Sequence, residues 1–201
     1  MVRRTLGLLA AIALLTPGVA SAAVQVEGFY GIERPPSADF SSAVSGATSE
    51  PRLFKSSLQL AGGDILLNLG GLELGAIIDT TFGNDTASQT AIGALAGVAL
   101  GTTLKIDLLA EAGGHRYGNF ASNPEIVTAS SKDQWFFYVG LRPGFTVKLG
   151  SGPLTIGVWG FVRWDVNTEN VPVTVGSAGS AGSYKLGGTT IGATLRLGFE
   201  L

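Results

Sequence analysis

His115 is the only histidine of the chain, and the side chains that would complete a hydrolytic triad follow it in the sequence. The candidate serines and carboxylates are Ser122, Ser130, Ser131, Glu125 and Asp133. A serine activated by a histidine, which is itself oriented by a carboxylate, cleaves esters. No His-x-Ser spacing is present, so we favour a histidine that hydrogen-bonds loop backbone. With one histidine and no cysteine, we expect no metal site and no cofactor.

A second set of candidate side chains is charged and occupies one face of an alternating pattern. Its members are Glu27, Asp64, Asp79, Glu111, Arg142, Arg163 and Arg196, with Phe29, Phe136, Tyr138, Trp159 and Phe161 as bulky neighbours on that face. Buried charges are tolerated only when they are paired and hydrogen-bonded. We therefore expect a structural salt-bridge network, and the alternative is a narrow conductive path gated by the same pairs. Because acids outnumber bases in this set, some carboxylates must be hydrated or protonated.

The expected pairs join neighbouring strands. Glu111 should meet Arg142 on the next strand, and Glu27 should meet Arg196 if the first and last strands close on each other. Shear in a barrel leaves the register open, so these partners could be exchanged among Asp64, Asp79 and Arg163.

The elements that carry these residues show a period of two, which is typical of β-strands. Eight such segments occur, at residues 24–33, 53–69, 72–79, 89–100, 104–113, 135–148, 154–167 and 190–201. Most have the roughly 9–11 residues that a membrane-crossing strand needs. In the segment 53–69 we expect a bulge near Gly62 and Gly63 that keeps Leu58 and Leu60 on the face of Ile65.

The links between these segments alternate between short and long. Gly70-Gly71, Gly101-Thr102 and residues 150–153 are tight, whereas residues 34–52, 83–88, 117–132 and 168–183 form longer connections. Short periplasmic turns and longer extracellular loops are the rule in outer-membrane barrels. The long links are rich in Ser, Gly, Ala, Pro and Asn, which is typical of mobile surface loops.

Aromatic residues lie near the strand ends of the apolar face. We expect an aromatic girdle made of Tyr30, Phe82, Trp135, Phe137, Trp164 and Phe199. Such girdles mark the membrane interfaces of transmembrane barrels. A soluble barrel with its apolar set inside and a β-sandwich are the alternatives. The broad apolar face and the charges opposite to it favour the membrane barrel.

Composition and the first residues agree with this interpretation. Only 14% of the 201 residues are charged, against about 25% in soluble domains. Thirteen scattered basic residues form no nucleic-acid patch. Residues 1–22 read as a cleaved signal peptide, with Arg3 and Arg4 before a short apolar run and Ala20-Ser21-Ala22 at the cleavage site. Residues 23–201 would then form the outer-membrane barrel domain.

These features make residues 23–201 resemble the small eight-stranded outer-membrane barrels of Gram-negative bacteria, in the OmpA/OmpX style. The last segment, Thr190 to Leu201, resembles the terminal strand that the outer-membrane assembly machinery recognises, although its aromatic is Phe199 and its last residue is Leu201. The resemblance implies an all-β, antiparallel up-and-down transmembrane barrel in contact with outer-membrane lipid and lipopolysaccharide.

Three functions fit such a barrel. We expect a non-catalytic protein that supports envelope integrity or presents its loops to an unidentified surface partner. The alternatives are a narrow channel for ions or small solutes and, by similarity to lipid-modifying barrels that place a histidine and a serine at this level, an enzyme that uses His115.

Overall fold

The computed structural model describes residues 22–42, 53–83, 86–120, 126–129, 133–175 and 180–201. Residues 1–21 of the expected signal peptide lie outside this part of the chain, as do Ser122, Glu125, Ser130 and Ser131. No helix among the described residues has the length and hydropathy that a membrane-crossing helix requires.

Eight long antiparallel strands close into a barrel, which confirms the predicted fold class. The strands are β1 (Ala22–Arg34), β3 (Leu58–Leu69), β4 (Leu72–Phe82), β5 (Ser88–Leu100), β6 (Leu104–Gly118), β8 (Gln134–Lys148), β9 (Leu154–Asp165) and β12 (Thr189–Glu200). Each pairs with the barrel strands before and after it, and β1 pairs with β12 to complete the ring. Closure leaves no barrel strand with an unpaired edge.

The alternating sequence separates two faces. Along β8, Trp135, Phe137 and Val139 are exposed on the outside of the barrel, whereas Phe136 and Tyr138 between them are buried in the lumen. Successive residues of a strand point to opposite faces, so one register of apolar residues covers the whole exterior.

The described part of the segment 53–69 contains no bulge, so that prediction is wrong. The register of β3 runs without interruption along both β1 and β4. Leu58 and Leu60 therefore share the inward face with Asp64 and are buried. The bulge would have placed these leucines towards lipid, but this end of the lumen is itself apolar and takes them inside.

Three tight turns close one end of the barrel, here called the turn end. Gly70 and Gly71 have φ values of 67° and 97°, and Gly101 has a φ of 100°. Only glycine adopts such left-handed conformations freely, which explains why these turns fall at glycines.

The longer connections at the opposite end, here called the loop end, contain β-strands in their described parts. They contribute β2 (Asp39–Ser42), β7 (Ile126–Ala129), β10 (Glu169–Val175) and β11 (Ser180–Leu186). These strands form a separate antiparallel sheet in the order β2-β11-β10-β7, here called the loop sheet. The sequence did not predict this regular structure in the long links.

An apolar core joins the loop sheet to the barrel. This loop-end core contains Leu53, Phe54, Leu58, Ala87, Tyr117, Phe120, Phe136, Val171, Val173, Tyr184 and Leu186, all buried. Its members come from barrel strands, from the connections next to them and from β10 and β11, so the loop sheet packs onto the barrel at this end.

Pro143 interrupts one ladder of the barrel wall. The register of β8 and β9 pairs Leu141 with Val162 and Gly144 with Trp159, but the two pairs between them are missing. Proline has no N–H to donate, which removes a ladder hydrogen bond where a strand has neighbours on both sides.

Candidate functional site: the charged interior of the barrel

The middle of the lumen holds a cluster of two arginines and two carboxylates. Arg142 Nε donates to Glu111 Oε2 at 3.1 Å, and Arg163 Nε donates to Glu111 Oε1 at 3.0 Å. Arg163 also forms a bidentate pair with Asp79, with one contact of 3.0 Å. Tyr138 donates its hydroxyl to Glu111 Oε1 at 2.5 Å. The two positive and two negative charges balance within this central cluster.

A second cluster lies nearer the turn end. Arg196 Nη1 contacts Glu27 Oε2 at 2.8 Å and also pairs with Asp64. Gln25 Nε2 donates to Glu27 Oε1 at 2.6 Å. The structure thus brings all seven charged candidates into two groups, with Glu111 beside Arg142 and Glu27 beside Arg196. Asp64 joins Arg196, and Asp79 joins Arg163.

The arginines of the two clusters are stacked on aromatic rings. The Arg196 guanidinium lies 4.2 Å from the Trp159 ring centroid and 4.8 Å from that of Phe29. Arg142 and Arg163 lie 4.8 Å and 4.7 Å from the Phe161 centroid. Contacts of this kind attract a cation to the ring face, most strongly where both are shielded from water. This column of guanidinium groups and rings occupies the middle of the lumen.

Inward glycines make room for the column, a feature that sequence reasoning missed. Gly144 lies opposite Trp159, and a Cβ at Gly144 would come within 2.2 Å of the indole Cδ2. Gly192 lies opposite Phe161, and a Cβ there would come within 2.3 Å of the ring. The sequence pattern that could have predicted this feature is an inward glycine on one strand beside a bulky inward residue on the next.

The turn end of the lumen holds further charged groups. Lys105 Nζ contacts Glu200 Oε2 at 2.9 Å, and Lys148 Nζ contacts Glu200 Oε1 at 3.3 Å. Glu73 and Asp107 are buried beside them. The candidate set omitted these residues and the buried Glu33, although all of them share the inward parity of their strands.

His115 is buried at the loop end of the lumen, where its Nδ1 lies 2.9 Å from Asp165 Oδ1. Tyr117 donates its hydroxyl to Asp165 Oδ2 at 2.5 Å, and the Gly188 N–H donates to the same oxygen at 3.2 Å. Asp165 therefore holds the imidazole, in place of the loop backbone that we expected and of Asp133, the alternative carboxylate. Asp133 instead pairs with Arg116 at 2.5 Å.

The expected aromatic girdle lies on the outer face. All of its members, Tyr30, Phe82, Trp135, Phe137, Trp164 and Phe199, are exposed there. The first five lie towards the loop end and Phe199 towards the turn end. The Tyr30 and Phe82 ring centroids are 5.8 Å apart. Among the described residues, no three histidine or carboxylate side chains gather into a metal cage.

Comparisons with known proteins bear on the fold. No protein-family model matches the sequence, and no curated protein matches it. The crystal structure of the outer membrane protein OprG from Pseudomonas aeruginosa is similar, with a TM-score of 0.60 and 10% identity over 92% of this chain and 98% of that one. Neisserial surface protein A (NspA) is similar with a TM-score of 0.53 and 12% identity, over 90% of this chain and 99% of that one. With its closed ring of eight antiparallel strands, the chain therefore has the fold of the small eight-stranded outer-membrane β-barrels.

Proposed function

We propose that this protein is a non-catalytic barrel of the outer membrane whose lumen is closed by its own ion pairs. Its role would be to support the integrity of the envelope or to present the loop sheet to a surface partner. The observation that carries the proposal is the burial of Arg142, Arg163 and Arg196, whose exposed fractions are 0%, 1% and 1%. Each is paired with carboxylates and stacked on rings inside a barrel that is only wide enough for side chains.

The outer face supports placement in a membrane. Large apolar side chains such as Leu195, Val158 and Ile106 are about half exposed or more around the barrel. In lipid, a backbone without internal hydrogen bonds finds no partner, and a closed barrel satisfies that requirement. The expected signal peptide would export the chain, and lipid with lipopolysaccharide would contact this face. The terminal strand β12 would be the segment recognised by the assembly machinery.

The loop sheet supports a role in surface interaction. Val171 and Tyr184 face the loop-end core, whereas Pro172 and Lys185 point away from it and are exposed. A packed sheet presents such side chains in a fixed arrangement, which favours recognition because little ordering is needed on binding.

Cell fractionation tests the placement. We expect the mature protein in the outer-membrane fraction, and we expect the unboiled sample to run faster on a gel than the boiled one because the barrel stays folded. Recovery of the protein free in the periplasm would contradict the proposal.

Planar-bilayer recording tests whether the lumen is closed. We expect no unitary conductance from the wild-type protein in concentrated KCl. Flotation of the same preparation with lipid vesicles is the control for insertion. If the protein is inserted, the absence of current indicates a closed lumen. Steady unitary currents from the wild-type protein would favour the narrow channel.

A further inference from the structure

The turn end of the lumen contains more acids than bases. Its inward carboxylates are Glu27, Asp64, Glu73, Asp107 and Glu200, and its inward cations are Lys105, Lys148 and Arg196. This region therefore carries an excess of two negative charges, whereas the central cluster is balanced. Buried charge without compensation is strongly unfavourable.

The excess negative charge belongs to Glu73 and Asp107. Arg196 pairs with Glu27 and Asp64, and both lysines pair with Glu200. Glu73 and Asp107 form no ion pair with any residue in the described ranges. Their exposed fractions are only 1% and 2%, so water around the barrel does not solvate them freely.

The backbone register places these two carboxylates on either side of β5. Glu73 on β4 lies opposite Gly97, and Asp107 on β6 lies opposite Ala99. Gly97 and Ala99 are the inward residues of β5 at this level, and they are too small to separate the two acids.

One oxygen of each carboxylate is held by a neighbour, and the other is not. Glu73 Oε1 accepts from Asn68 Nδ2 at 3.1 Å, and Asp107 Oδ2 accepts from the Thr146 hydroxyl at 3.1 Å. Glu73 Oε2 and Asp107 Oδ1 are buried and have no hydrogen-bond partner among the described residues.

We propose that Glu73 Oε2 and Asp107 Oδ1 bind one hydrated divalent cation of the magnesium or calcium class. A double positive charge matches the excess, and magnesium is commonly held by one or two carboxylates while it keeps several water ligands. The expectation of no metal site rested on nitrogen and sulfur ligands. A hard cation needs neither, because oxygen is its preferred ligand.

Terbium luminescence tests this proposal on the full chain folded in detergent. Tb³⁺ prefers oxygen ligands, and Trp159 is suited to sensitise it at this site. The indole Nε1 donates to Thr146 Oγ1 at 3.2 Å, and Thr146 donates in turn to Asp107. We expect saturable emission on excitation of tryptophan, with displacement by excess Mg²⁺ or Ca²⁺. Glu73→Gln and Asp107→Asn should each weaken Tb³⁺ binding by at least about tenfold, whereas Glu169→Gln, an exposed acid of the loop sheet, should leave it unchanged.

A Trp159→Phe variant checks the location, because it should lose sensitised emission at unchanged Tb³⁺ uptake. Urea unfolding gives a second readout. Mg²⁺ should raise the unfolding midpoint of the wild-type protein relative to EDTA at equal ionic strength, and it should leave the midpoint of the folded Glu73→Gln/Asp107→Asn variant unchanged. Equal Tb³⁺ binding by wild-type protein and the double variant would overturn the proposal. So would a wild-type midpoint that responds to protons and not to Mg²⁺, since the two acids would then share protons instead of a cation.

Discussion

Glu111 and Arg142 lie on neighbouring barrel strands, two positions apart in register, and their side chains meet in the middle of the lumen. The Arg142 guanidinium approaches Glu111 Oε2 through both Nε, at 3.1 Å, and Nη2, at 3.0 Å. Both side chains are buried, so Arg142 depends on Glu111 for compensation, whereas Glu111 is compensated by Arg142 and by Arg163.

A double-mutant cycle on this pair should show strong coupling. Glu111→Gln should lower the free energy of unfolding by about 3–5 kcal/mol, because it leaves Arg142 buried without its nearest carboxylate. Arg142→Met should cost less, because Arg163 still compensates Glu111. The double variant should lose less than the sum of the two single losses. Urea titration of the refolded variants measures these values, and strict additivity would argue for a hydrated lumen.

Arg196→Met should destabilise the barrel more than Glu27→Gln. Arg196 compensates both Glu27 and Asp64, so its removal leaves two buried carboxylates, whereas removal of Glu27 leaves the Arg196–Asp64 pair. The same unfolding titration compares them. Equal losses would show that Asp64 does not share the guanidinium.

A charge introduced on the outer face should destabilise the folded barrel more, the deeper it lies in the bilayer. Leu104 lies on the exposed face of β6 at the turn end, and Leu108 lies on the same face four residues further into the barrel wall. Leu108→Arg should cost about 2–4 kcal/mol of folding free energy in vesicles, and Leu104→Arg about 0–1 kcal/mol. If both variants folded as stably as the wild type, this face would not be the one in contact with lipid.

Gly144→Ala should destabilise the barrel through the filled lumen. A Cβ at Gly144 would overlap the buried Trp159 ring, and overpacking of this kind costs about 1–3 kcal/mol. Gly28→Ala is the matched control, because a Cβ at Gly28 meets no atom within 4 Å. Thermal or urea unfolding should separate the two variants, and equal stability would show that Trp159 can be displaced at little cost.

Pro143→Ala should strengthen the wall between β8 and β9. The substitution supplies an N–H where the ladder is interrupted, and one added backbone hydrogen bond contributes about 1 kcal/mol. Amide hydrogen exchange at Gly160 and Val162, whose N–H groups face β8, should slow relative to the wild type. Unchanged exchange would mean that the strands stay apart for another reason.

Alternation in the sequence was sufficient to predict the strands and the two faces of the barrel. Side chains alternate between the two faces along an uninterrupted strand. The inward orientation of one residue, such as Glu111 on β6, therefore fixes the orientation of all the others. The predicted outward orientation of Leu58 and Leu60 was wrong, because we assumed that every leucine of a strand faces lipid. The alternation in the sequence does not show which apolar residues belong inside the lumen.

The loop sheet and the partner of His115 could not be predicted in the same way. β2 and β7 are four residues long, too short for a periodic signal, and they pair with strands far away in the chain. Asp165 lies 50 residues from His115, whereas Asp133 is nearer in sequence but lies on the other side of the wall. Long-range register, not local spacing, decides such contacts.

The loop sheet combines three connections into one folded unit. Its central strands β10 and β11 belong to one connection, and its edge strands β2 and β7 come from two others. An insertion or exchange in one connection would therefore disturb the shape of all three. An antibody raised against this end of the folded protein should recognise a discontinuous epitope that no single loop peptide reproduces.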